Sequence, residues 1–405
     1  MSGRQNVVIL GAGYGGLRVA QRLSNHLHKN GDYQLVLVNK HNYHMFMTQL
    51  HEHAAGTSEA EEIMVSLDEV LDEKKVKFIK GWVDNIDSKN KVVLVNYGEI
   101  KIPYQYLVVA LGSEPEYYNI EGLQKHSMCL RSLYSAREIR RQVEKTLEEA
   151  SGMPPGKERQ LRLTFVVGGG GLTGVEFAGE LAYQLRKIRD QYGVKEDEHK
   201  IVVIEGADEL LSGMSEDLST YAEKALKEMG VRVITGEFVK QVTSDTIYLT
   251  SDKEIKYALF IWAGGVRGNK VLVKSELKTD KRGRLIVNEY MQYKENSSIY
   301  VVGDSAVAKD PQTGKPVVPT AQAALQQGET AAYNIFAEIT GRQKRRYSPI
   351  TIGTLVSIGR GQGLGKVKTF KLKGITASWL KEIVPMKYLY SLGGFKMVTD
   401  NYMNK

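Results

Sequence analysis

Two stretches of this chain repeat one plan, and that repetition limits the fold more than any other feature. In the first, an apolar strand (residues 6–10) runs into Gly11-Ala12-Gly13-Tyr14-Gly15-Gly16, then a helical stretch and a second apolar strand ending at Asn39. In the second, residues 163–167 run into Gly169-Gly170-Gly171-Leu172-Thr173-Gly174, then a longer helical stretch and a strand ending at Glu205. Each copy closes alike: an alternating stretch (residues 91–101 or 246–256) precedes a buried-strand signal ending in glycine, at residues 106–112 and 259–265. Repetition on this scale points to two related α/β domains with parallel sheets, not a solenoid. Residues 149–160, polar with two glycines and two prolines, are expected to link them.

Glycines at this spacing carry a mechanism when they follow a strand and open a helix. The first makes the tight turn, the second lets backbone approach a pyrophosphate, and the third lets helix and strand pack closely. The helix N-terminus then offers unpaired N–H groups to phosphate. The strand-end residue reads the ribose. Glu205 can accept from both ribose hydroxyls and would repel a 2′-phosphate, and no arginine follows it in Gly206-Ala207-Asp208, so this copy is expected to prefer NADH over NADPH. Asn39, followed by Lys40, can bond a ribose without charge and identifies its nucleotide less well. A later strand (residues 298–304) ends in Gly303-Asp304, where the carboxylate suits a ribityl hydroxyl of FAD. Thr320 is a good N-cap for a helix over residues 320–339, whose positive end would stabilise an anionic reduced flavin.

Composition removes several classes. With 42% apolar and 25% charged residues the 405-residue chain is a folded globular protein. It has no run of about 18 apolar residues for a membrane span, and no secretory signal is expected. A single cysteine, Cys129, excludes an intrachain disulfide and a two-cysteine redox pair, and is expected to be a small packing residue. His41, His44, His51 and His53 cluster locally, but at no standard zinc spacing, so no metal site is expected.

The nested plans, Gly174-Val175-Glu176-Phe177-Ala178-Gly179-Glu180, residues 262–268 and Ala321-Gln322-Ala323-Ala324-Leu325-Gln326 together resemble the two-dinucleotide-binding-domain flavoproteins. Among these the chain is similar, over essentially its whole length, to the type II (alternative, non-proton-pumping) NADH:quinone oxidoreductases. The resemblance implies an FAD domain from residues 1–112 and 266–340, an inserted NADH domain over 113–265, and a membrane-anchoring or dimer region over 341–405. It also implies hydride transfer from NADH to FAD and two-electron reduction of a membrane quinone, menaquinone or ubiquinone. The setting it implies is a peripheral homodimer on the cytoplasmic face of the cell membrane, with no nucleic-acid partner.

By matching motif, the resemblance places Gly11, Ala12, Gly13, Tyr14, Gly15, Asn39, Lys40, Val83, Asp304, Ala321 and Gln322 at FAD, and Gly169, Gly171, Gly174 and Glu205 at NADH. Glu176 and Gln322 are the expected catalytic residues. Glu176 would position NADH or supply protons to the reduced quinone, its pKa raised toward neutrality beside reduced flavin. Phe46, Met47, Gln322, Gln326 and Ile383 would face the quinone. A sulfide:quinone oxidoreductase would need paired cysteines. A soluble ferredoxin-type reductase and a slowly turning NADH-responsive flavin protein remain as alternatives.

Charge is uneven. From residue 341 onward 13 Lys/Arg face two acids, a net +11 in a chain of net +8, so the first 340 residues carry −3. Trp379, Leu380, Ile383 and Val384 fall on one helical face, which with this charge suits anionic lipid, although Glu382 is poorly placed for it. Pro385 is expected to end or kink that helix.

Overall fold

The computed structural model describes residues 4–27 and 31–402. The extreme ends of the expected FAD domain and of the basic tail (1–3 and 403–405) lie outside the described residues. The chain divides into two compact units: residues 1–45, 64–114 and 266–351 form the first, and 46–63, 115–265 and 352–405 the second.

The first unit is built on a six-stranded sheet in the order Gln292–Tyr293, Asn296–Val301, Tyr106–Val109, Gln5–Leu10, Tyr33–Asn39, Val76–Lys80. All neighbours are parallel except the short first strand. The central strands carry continuous apolar runs because both faces are covered there; Val7, Val8, Ile9 and Leu10 are fully buried. Helix Tyr14–Leu27 packs on helix Ala321–Thr340. A side chain at Gly328 would meet the Gly15 carbonyl and Arg18, so glycine sets how closely these helices cross. Thr320 caps the second helix as expected, its hydroxyl accepting from the Ala323 N–H at 3.1 Å.

In the second unit a five-stranded parallel sheet runs Met128–Cys129, Leu259–Trp262, Thr164–Gly168, Lys200–Ile204, Val231–Ile234. An antiparallel meander of three strands, Val239–Val242, Thr246–Leu249 and Glu254–Lys256, packs Val239, Val242, Ile247 and Leu249 against Val202, Ile204 and Phe260 of the sheet. The first unit has a matching meander, Val83–Asp87, Val92–Val95 and Ile100–Pro103. A final three-stranded sheet over residues 353–373 leads into helix Ile375–Tyr402.

Two local expectations are corrected. Residues 149–160 lie inside the second unit, where a five-residue turn (152–156) joins the end of helix Leu133–Ser151 to helix Lys157–Arg162. Buried Arg159 fixes the turn by donating to the Ala150, Met153 and Gly193 carbonyls and pairing with Glu198 at 3.0 Å. The last helix runs through Pro385 and breaks instead at Gly393 and Gly394, the latter at φ +72°. Buried Ala377, Ser378, Leu389 and Leu392 hold the segment helical, outweighing the roughly 3 kcal/mol that an interior proline costs. Among the described residues no helix is long and apolar enough to cross a membrane.

Candidate functional site

Each unit carries a glycine cradle, and the two agree bond for bond. The first glycine of each has left-handed backbone, Gly11 at φ +98° and Gly169 at φ +110°. Each donates its N–H to the penultimate residue of the neighbouring segment: Gly11 to the Val38 carbonyl at 2.8 Å and Gly169 to that of Ile204 at 2.7 Å. The next residue donates to the strand-end side chain. Ala12 N–H reaches Asn39 Oδ1 at 3.0 Å, and Gly170 N–H reaches Glu205 Oε2 at 2.5 Å. A side chain at Gly16 or Gly174 would collide with the carbonyl of Gly11 or Gly169, so close helix–strand packing requires glycine there. Gly13 and Gly171 instead face open space, with no atom within 4 Å of where a Cβ would sit. That opening at a helix start is the shape a pyrophosphate needs.

In the first unit the carboxyl ends of the strands gather the other residues expected at FAD. Asp304 Oδ2 accepts from the Ser113 hydroxyl at 2.7 Å, and Gly303 N–H donates to Gln327 Oε1 at 2.7 Å, which fixes the Gly303-Asp304 turn. Val83 opens its meander strand, and Lys40 lies over the Trp82 ring. Tyr14 meets the His44 ring edge-on, while His44 Nδ1 donates to the Ala12 carbonyl at 2.7 Å. Burial pushes His44 down to about 4, so the ring is a neutral prop beneath the glycine turn. The Gln322 and Gln326 amides both donate to the Ile350 carbonyl, at 2.6 and 2.8 Å. Ala321 begins their helix. The residues thus fit an FAD, with an open phosphate cradle, an acidic turn and, at the strand end, Asn39, whose Oδ1 accepts from the Ala12 N–H and whose Nδ2 donates to the His41 carbonyl at 2.8 Å.

The second unit holds Glu205, whose carboxylate also accepts from the Ala207 N–H at 2.8 Å. A carboxylate has about four acceptor sites, so these two bonds aim it and leave room for ribose hydroxyls. Glu176, two residues after Gly174 on helix Leu172–Ile188, is buried and ringed by partners. Lys381 Nζ donates to Glu176 Oε1 at 2.6 Å and to the Leu355 carbonyl at 3.3 Å. Ser357 N–H donates to the same carboxylate at 3.3 Å, and His51 Nδ1 lies 3.8 Å from its other oxygen. Phe46 is buried with its ring against Tyr388, while Met47 and Ile383 are half-buried.

The electrostatics correct one expectation. Burial alone would raise Glu176, but the Lys381 ammonium, joined by the Ser357 N–H, holds it below the usual carboxylate range. It is an ionised partner, not a protonated acid. His51 is pushed down to about 4 by burial and is neutral. The raised acids are neighbours. Glu52 is pushed up to about 8, first by burial and then by Glu180, and burial raises Glu180 as well. Sequence reading missed Lys381 and Glu52, and weighed His51 only as a metal ligand. A usable signal was the four-residue spacing of Glu176 and Glu180, which puts both on one helix face among apolar residues.

Residues 5–328 match the family profile described as pyridine nucleotide-disulphide oxidoreductase. The chain belongs to that family. It is 32% identical over 395 residues to type II NADH:quinone oxidoreductase of Staphylococcus haemolyticus and 31% identical to that of Staphylococcus aureus, with 96% of each chain covered in both cases. Its place within the family is therefore among the type II NADH:quinone oxidoreductases. The structure of NDH2 from Plasmodium falciparum in complex with NADH shares the fold, with a TM-score of 0.86 at 20% identity over 99% of this chain and 98% of that one.

Proposed function

We propose that this chain is a membrane-associated flavoenzyme that oxidises NADH and reduces a quinone without moving protons across the membrane. One observation carries the reading: two cradles of one design differ at the strand end, Asn39 in the first and the Glu205 carboxylate in the second. The first unit holds FAD, through its glycine turn, Asn39 and Asp304. The second holds NADH, with Glu205 selecting the free ribose diol over a 2′-phosphate.

Bound FAD supplies the two-electron relay between hydride donor and quinone. The balance is one NADH, one quinone and one proton giving NAD⁺ and quinol. The protein's task is to hold the donor and manage that proton. Glu176 stays ionised against Lys381, while Glu52, protonated near neutral pH, stores a proton within the same cluster. A quinone carbonyl engaging Gln322 or Gln326 must displace the Ile350 carbonyl from those amides.

The last helix suits an anionic membrane surface. Trp379 and Val384 are 64% and 53% exposed, and the surrounding segment is basic. Attachment at the cytoplasmic face as a homodimer completes the proposal. Anaerobic mixing of the FAD-loaded protein with NADH and then menaquinone tests the core of it. The flavin absorbance should bleach and then recover; bleaching without recovery would leave an NADH oxidase module with no quinone activity.

A further inference from the structure

The two repeats share a feature that the cofactor cradles do not use. Just beyond the third parallel strand of each sheet, one residue before the meander or at its opening, stands an exposed aromatic side chain: Trp82, 58% exposed, in the first unit and Phe238, 63% exposed, in the second. The backbone correspondence is close. Gly81 N–H donates to the Asn39 carbonyl at 2.9 Å, and Glu237 N–H donates to the Glu205 carbonyl at 3.1 Å. In both, the residue after the ribose-facing side chain lies against the aromatic ring: the Lys40 ammonium 4.4 Å from the Trp82 ring centre, and Gly206 so close to Phe238 that any side chain there would run into the ring.

A lone exposed aromatic on a protein surface needs no explanation. Two, at the same place in two repeats and each beside the residue that faces the ribose, are different. Phe238 is also held in place from behind. Its N–H donates to the Thr250 hydroxyl at 3.2 Å, and its carbonyl accepts from the Thr250 N–H at 3.0 Å. The backbone at Phe238 is therefore fixed at the carboxyl end of the sheet, beside the residue after Glu205, and the ring it carries is largely exposed. Ligands of such sheets bind at that end.

We propose that Phe238 is the adenine platform of the nucleotide site in the second unit, so that adenine stacks on its ring while Glu205 holds the adjoining ribose. This rests on the reading of that site as the NADH site. Stacking of a base on an aromatic ring changes affinity roughly 5- to 150-fold. It tolerates an aromatic replacement but not an aliphatic one. Gly206 is the accommodation for it, since a larger residue would push the ring out of place.

The test uses FAD-loaded protein and two halves of the dinucleotide as probes in calorimetric titrations. ADP-ribose carries the adenine, and nicotinamide mononucleotide lacks it. Phe238→Ala should weaken ADP-ribose by roughly 5- to 150-fold and erase most of its advantage over the mononucleotide. Phe238→Trp should restore binding to within about 3-fold of wild type. Unchanged far-ultraviolet circular dichroism and FAD content exclude misfolding. If ADP-ribose binds wild type and Phe238→Ala alike, or if both probes weaken by one common factor, the platform is overturned and the NADH site stands. If wild type binds neither probe, the underlying NADH reading fails.

Discussion

Replacing Lys381 by methionine should convert Glu176 from a settled anion into a titrating acid inside the neutral range. In the native protein Lys381 Nζ lies 2.6 Å from Glu176 Oε1, and both side chains are largely buried. Methionine keeps most of the packing volume but removes the charge that opposes burial, leaving a neutral His51 and one long N–H bond from Ser357. Removing one partner of a buried pair costs about 3–5 kcal/mol unless the survivor takes a proton, at about 1.4 kcal/mol per pKa unit. The sign follows from which state binds the proton more tightly. Native Glu176 lies below its ordinary 4.5, so it adds stability above that pH and loses it as pH falls through the lowered value. In the variant the folded value lies above 4.5, so the penalty grows as pH rises from there. Calorimetric melting of FAD-loaded protein should therefore show a small gap between wild type and Lys381→Met near pH 5 and a loss on the order of 3 kcal/mol at pH 8. Adding Glu176→Gln should recover most of that loss, because no uncompensated charge remains. A gap that does not change with pH, or a double variant no more stable than the single one, would refute the reasoning.

Glu52→Gln should act in the opposite sense to loss of a salt bridge. Because burial holds Glu52 at about 8, the native fold loses stability between pH 4.5 and 8. The variant should gain roughly 2–4 kcal/mol relative to wild type over that interval in melting experiments. Gly171→Ala should fold normally, since its side of the cradle is open, yet raise the KM for NADH at least about 10-fold by blocking the pyrophosphate. Gly174→Ala, which collides with the Gly169 carbonyl, should fail to give soluble protein. Trp379→Ser with Val384→Ser should lower sedimentation with anionic liposomes while FAD content stays unchanged; full retention on the liposomes would remove this helix face from membrane attachment.

The parts of this molecule that announce themselves in the sequence are those where backbone geometry demands a residue type. Gly11 and Gly169 must turn left-handed, Gly16 and Gly174 must carry no side chain, and Thr320 must end in a hydroxyl to cap its helix. Such demands are local, so they survive reading along a line. The Glu176 cluster is not local. Lys381 is 205 positions away and His51 arrives from before the second repeat, and pairing at that range leaves no spacing to recognise. Lys381 was also hidden by its company, since it lies in a basic, aromatic helix whose composition suits a lipid surface. The expected pKa of Glu176 erred for the same reason: burial was foreseeable, the ammonium opposite it was not. At residues 149–160 the prolines and glycines suggested a linker, while Arg159 ties the segment's turn to the flanking helices through carbonyls that sequence alone does not bring together.

The final helix has two faces with unlike duties only two residues apart. Trp379 turns outward, and Lys381 turns inward to the acid at the heart of its unit. Trimming this segment to obtain a better-behaved protein would thus be no cosmetic change. It would strip the counter-ion from an interior carboxylate, and a shortened preparation would show altered acid–base behaviour even where lipid plays no part in the assay.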